Sequence, residues 1–233
     1  MERQPVKRSG TRPRRAYHSP KRAARALATR RRIRGAAEEL FLQGGYSATS
    51  INAIAGAAGV ALRTIFLAFP SKAALLSEII QVAVRGDDQD LPVSGRKQWQ
   101  AMLSRPADQL LAEFCAGTTE ILKRCARLLE LGELGADHDD ELAALCDRGE
   151  MRMRSDFLDI ACALADKDAL VSDLDIQHAA DTIYALANHQ VYLRLTRECG
   201  WAPDQYTSWL SALLPATLLD SEHRAAPERS EGH

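Results

Sequence analysis

Nothing in the 233 residues approaches the run of ~20 apolar side chains that crosses a bilayer, and no apolar signal-peptide core precedes the first helix. A soluble, cytoplasmic protein with no membrane partner is therefore expected. The five cysteines, Cys115, Cys125, Cys146, Cys162 and Cys199, form no CxxC pair and are odd in number. That fits poorly with a secreted disulfide framework, so they read as small core residues in a reducing compartment. Cys199, beside Gly200, is the one expected to be exposed. There is no HExxH, nucleophile elbow or phosphate-binding glycine loop, and the six histidines are isolated from one another, so no catalytic role is expected. The acids from Asp137 to Glu141 read as a turn at a helix N-terminus, where the dipole favours them, rather than as a metal site. Asp175, His178 and Asp181 read as an exposed helix flank. No cofactor or metal is expected. Strand-like alternation and internal repeats are missing too, which leaves an all-α chain.

Acids are also nearly missing from the first 34 positions, where 13 lysines and arginines meet only Glu2, a net of +12. The remaining 199 residues hold 17 basic and 30 acidic groups, so the overall charge of −1 conceals a basic end on an acidic body. Such a body is repelled by nucleic acid and confines binding to the basic end. Residues 1–28 read as a basic, flexible arm. A DNA tail, a solvated charge run and a transit peptide compete for it, the last weakened by few serines, three prolines and no apolar face. Arg25, Arg30, Arg31 and Arg34 are the residues expected to reach DNA first, with Arg12, Arg14 and Arg15 further along.

With 46% hydrophobic and 26% charged residues, the rest has a globular composition and the length for one or two domains. Ile33, Ala36, Ala37, Leu40 and Phe41 follow helical spacing up to Gly44 and Gly45. In TSINAIAGAAGVALRTIFLAF, residues 49–69, Ile51, Ile54 and Ala55 share one helix face and Gly59 supplies the freedom for a sharp corner. Val60, Ile65 and Phe69 bury one side of a second helix, leaving Leu62, Arg63, Thr64 and Leu67 outside. This is the pattern of a helix-turn-helix, although a helical hairpin inside a core would share it. Ser71 is placed to cap a further helix with Leu75, Leu76, Ile79 and Ile80 as its buried stripe. The polar text of 87–105 reads as a linker. Helices are then expected over about 106–131, from about Asp139, over 148–165, over 175–198 and over 204–219. The 175–198 stretch is apolar on two faces, which calls for a second subunit against one of them.

Residues 33–76 resemble the TetR/AcrR family of bacterial transcription regulators. In register are an apolar helix ending in Phe then Gly, a Thr-Ser start, an Ile-Ala pair, Ala-Gly-Val, a Thr two residues before an aromatic, and Phe-x-Ser-Lys. Residues 179–214 resemble the C-terminal end of such regulators less specifically. The resemblance implies a helix-turn-helix DNA-binding domain at 29–86, a helical effector-binding and dimerisation domain at 106–220, and a disordered tail at 221–233. It implies a homodimeric repressor released from a palindromic double-stranded DNA operator by a small-molecule effector. Thr49, Ser50, Leu62, Arg63, Thr64, Phe66, Leu67 and Lys72 would then meet DNA. Phe114, Thr118, Ile121, Met151, Phe157 and Tyr184 would line an effector pocket. Ile183, Tyr184, Val191, Tyr192, Trp209 and Leu213 would form the dimer interface. The family's common Ser, Tyr and His-Tyr pair are here Ala61, Phe66 and Leu67-Ala68, which removes polar DNA contacts. A cysteine-redox signal, or a helical RNA-binding or interaction protein with a basic tail, are the alternatives.

Overall fold

A computed structural model describes residues 20–224, so Arg12, Arg14, Arg15 and the tail beyond 224 lie outside the described residues. Ten α-helices are present among the described residues, with no strand longer than an isolated bridge between Leu170 and Leu219. The N-terminal unit comprises α1 (Pro20–Gly44), α2 (Ile51–Ala58), α3 (Leu62–Ala68) and α4 (Lys72–Arg85). Its core joins Ile33, Ala37 and Phe41 of α1 to Ile54, Ala55, Ile65, Phe69, Leu75, Leu76 and Ile79. These are the periodic apolar positions, buried because each helix must hide one face. The second core gathers α5 (Lys97–Leu103), α6 (Ala107–Ala136), α7 (Asp140–Ala165), α8 (Ile176–Leu186), α9 (His189–Leu193) and α10 (Pro203–Leu218).

Four expectations need correction. α1 begins at Pro20, so residues 20–28 of the supposed arm are helical, continuing the helix that Ile33 and Phe41 anchor. The supposed linker 87–105 contains a 3₁₀ turn, Val93–Gly95, and α5, whose Trp99 and Met102 are buried three residues apart in the second core. The segments from Asp139 and over 148–165 are one helix, α7, capped by the Asp139 carboxylate on the backbone N–H of Leu142. The expected helix 175–198 breaks after Leu186. Asn188 caps α9 and its amide donates to the carbonyls of Tyr184 and Ala185, satisfying groups the break would strand. Arg194–Glu198 then close as a π-helical turn.

The break also changes which side chains face outward. Ile183 has no exposed surface and Tyr192 packs edge-on against Tyr206 at 5.0 Å, so both serve their own subunit's core rather than a partner's. Val191, Trp209 and Leu213 remain half-buried at the surface.

Candidate nucleic-acid interface

Gly59 stands in the left-handed region at φ 60°, and its N–H closes α2 on the carbonyls of Ala55 and Gly56. The chain can therefore turn at once, and α2 and α3 meet at 101°. Ser50 caps α2 by accepting from the Ala53 N–H at 3.1 Å while staying exposed, so its own O–H is free to donate outward. α3 has no side-chain cap, as Ala61 has no hydroxyl. Its one buried residue is Ile65. Leu62, Arg63, Phe66 and Leu67 are exposed and Thr64 is half-buried, so α3 is pinned by its inner edge and shows the remainder to solvent. That is the posture of a recognition helix.

Several expected DNA contacts face inward instead. Thr49 is buried, and its hydroxyl donates to the Gly45 carbonyl at 2.7 Å, closing the end of α1. Lys72 donates to the carbonyls of Tyr46 at 3.0 Å and Thr49 at 3.3 Å and lies 4.1 Å above the Tyr46 ring. Arg30 pairs with Glu78, donates to the Ala68 carbonyl at the end of α3, and sits 4.2 Å over the Phe69 ring. Arg34 bridges Glu78 and Asp88. These four build the scaffold, because an orphan helix-end carbonyl or a half-buried carboxylate binds a nearby cation more readily than distant phosphate does. Arg31 also pairs with Asp88, at 2.6 Å, but keeps an exposed flank, and Arg25 is exposed. The Arg34 guanidinium holds the Asp88 carboxyl below the usual carboxylate range. Sequence reasoning passed over Arg32, yet it is exposed on α1 together with Lys21 and Arg22. Replacing Arg30 by Ala should free the end of α3 and weaken binding to every DNA sequence, with urea unfolding shifted to lower concentration. Unchanged stability would remove this role.

The C-terminal helices hold the helix-turn-helix at both ends of α4. At one end the Tyr46 hydroxyl donates to Asp139 at 2.5 Å and the Ser71 hydroxyl to Glu141 at 2.8 Å. At the other, Arg124 donates to the carbonyls of Ala83 at 2.9 Å and Val84 at 3.3 Å, and separately Arg127 reaches the Leu42 carbonyl of α1 at 3.3 Å. Burial, then the bond to Asp139, pushes the Tyr46 phenol up, and that bond holds the Asp139 carboxyl below its usual range. The contact is thus intact across neutral pH. Its stabilisation from Asp139 is present above the unfolded pKa of about 4 and is lost as pH falls through the lower folded value. None of these links had a local signal, since their partners lie 40 to 93 residues apart.

The six supposed pocket residues are spread over α6, α7 and α8 and differ in burial. Phe114 and Phe157 pack edge to face at 5.6 Å and are buried against each other. Thr118 and Ile121 are half-buried on α6. Met151 is 62% exposed on α7. Tyr184 donates to Glu150 at 2.9 Å beneath the Arg154 guanidinium, a surface tie between α7 and α8. An open depression of about 950 Å³ lies elsewhere, between Ala165–Gln177 and Asp220–Arg224.

A right-angled helix pair with a solvent-facing second helix, tied to a separate helical body, is the arrangement of a helix-turn-helix domain. Residues 33–79 match the family of bacterial regulatory proteins, tetR family. That segment is therefore a helix-turn-helix of the tetR type. NalD of Pseudomonas aeruginosa, the secondary repressor of the MexAB-OprM multidrug efflux pump, is 23% identical, with 84% of this chain and 99% of that one covered at a TM-score of 0.66. The MbdR regulator of Azoarcus sp. CIB is 20% identical over 82% of this chain and all of its own, at 0.64. The ketosteroid transcriptional regulator KstR2 of Mycobacterium tuberculosis is 16% identical over 82% and 95%, at 0.58. At these identities the likeness is one of fold. No curated protein sequence matches the chain.

Proposed function

We propose that this regulator is a homodimer that represses transcription from a palindromic double-stranded operator and is released by a small-molecule effector in its C-terminal helices. The observation that carries this reading is the pair of ties that join α6 and the α6–α7 turn to α4 and to Tyr46. Any rearrangement of α6 or of the α6–α7 turn pulls on Arg124 and Asp139, and so on the recognition helix. An effector that favours the displaced arrangement shifts the population toward half-site spacings that no longer fit the operator. The repressor named in NalD's description supports the same direction of control. A thiol signal is not favoured at Cys115 or Cys125, since burial pushes their thiols up to about 11 and about 12 and keeps both protonated, which leaves the exposed Cys199 as the residue such a signal would need.

Selection of bound fragments from a random DNA library tests the reading, with an enriched inverted repeat as the expected result. Arg63→Ala should relax base preference at one position per half-site. The dimer is proposed to form through α8 to α10 with Val191, Trp209 and Leu213 at its surface and Tyr184 near its margin. Val191→Asp and Leu213→Asp should each give monomers in light scattering with helical content retained. A dimer that survives both changes places the interface elsewhere.

A further inference from the structure

The surface of α3 is unusual for a helix that faces DNA. Of its seven residues, Leu62, Phe66 and Leu67 are large, apolar and 41%, 52% and 78% exposed. No other described large apolar side chain is as exposed as Leu67, and the others are scattered over different helices and loops. Leu62 and Phe66 lie one turn apart on one stripe, and Arg63 and Leu67 on the next, while Ile65 anchors the opposite side. Arg63 is the only charged residue on α3, and Thr64 is half-buried. The outward face therefore offers one guanidinium and three apolar groups. The surroundings favour a polyanion: Lys21, Arg22, Arg25 and Arg32 are exposed on α1, whereas the rest of the chain is acidic. In a major groove, the one native base feature that an apolar side chain recognises is the thymine 5-methyl group.

We infer that Leu67 reads a thymine methyl, so that each operator half-site contains a base pair specified by that methyl and not by a hydrogen bond. This rests on the DNA-binding reading above. Phe66 covers the contact from water, and Arg63, on the same stripe, reads the adjacent base edge. Burying one methyl is worth about 0.8 kcal/mol, which is about fourfold in affinity.

The test uses the full chain and the duplex most enriched from the random library, resynthesised with deoxyuridine replacing thymidine at one position at a time. Deoxyuridine pairs as thymidine does and lacks only the methyl. At one position per half-site, affinity by fluorescence anisotropy should fall about fourfold. Leu67→Ala should lose a similar factor on the thymidine duplex and nothing further on the deoxyuridine one. The variant leaves the core untouched, since Leu67 packs against little of its own subunit. Equal binding to every deoxyuridine duplex, a motif with no fixed thymine, or undiminished deoxyuridine sensitivity in Leu67→Ala would each overturn the inference alone. The first of these would fit an apolar face built for a protein partner. A library with no enriched sequence would overturn the DNA-binding reading and the inference with it.

Discussion

Deletion of residues 1–19 is expected to lower operator affinity by two to three orders of magnitude at moderate salt while leaving base preference in place. The segment carries Arg3, Lys7, Arg8, Arg12, Arg14 and Arg15 against Glu2. If half of these cations neutralise phosphates in each subunit of a dimer, six counterions are released, and at about 0.9 log units each the salt slope falls by roughly 5. The truncation stops before Pro20 because α1 starts there and its loss would disturb the domain itself. The structure strengthens the case for the segment. Thr49, Lys72, Arg30 and Arg34 are committed to internal partners, so a larger share of the expected phosphate contacts falls to Ser50, the exposed α1 cations and the basic residues of the sequence before Pro20. Gel shifts across a salt series are the measurement. Equal slopes for both proteins would show that the segment is only a solvated charge run.

Gly135→Ala should lower the melting temperature by roughly 5 °C. A β-carbon built at Gly135 comes within 2.7 Å of Leu142 Cδ2 and of Tyr46 Cδ1. Leu142 can rotate aside, but the Tyr46 ring is held by Asp139 at its hydroxyl and by Lys72 over its face. Overpacking of this kind costs about 1–3 kcal/mol, and a chain of this length loses about 2–4 °C per kcal/mol. The same substitution at Gly117 or Gly149 should do the opposite. Both lie inside helices with nothing within 4 Å, so alanine removes only backbone freedom and adds about 0.5–1 kcal/mol. Calorimetry on the three variants separates close approach from propensity. A Gly135→Ala protein as stable as the parent would show that the α6–α7 turn yields easily. Tyr46 would then be a weak link between the two cores.

The helix-turn-helix was legible because its determinants are local. Ile54, Ala55, Gly59, Ile65 and Phe69 lie within 16 residues, and their spacing alone sets the corner and the two buried faces. α1 and α4 were legible for the same reason. Less was readable of the C-terminal helices. A turn and a helix end look alike when Gly, Asp and Asn recur, so α7 was divided where it is continuous. The 175–198 segment was joined where Asn188 restarts the chain. Trp99 and Met102 were hidden in polar text, since two apolar residues three apart carry little periodic signal.

The amino-acid sequence by itself determined the helical class, the right-angled pair, its outward face at Arg63 and Leu67, and a basic end on an acidic body. These follow from side-chain periodicity, glycine freedom and net charge, properties of neighbours along the chain. Only the tertiary structure decided which basic residues are free. Arg25 and Arg30 look equivalent as text, yet one is exposed and the other clamps α3 to Glu78. It also decided how the two cores are joined, through Tyr46 with Asp139 and Arg124 with α4. The physical reason is range. A hydrogen bond or ion pair between residues forty to ninety positions apart exists only after the helices have packed, and no local pattern along the chain encodes it.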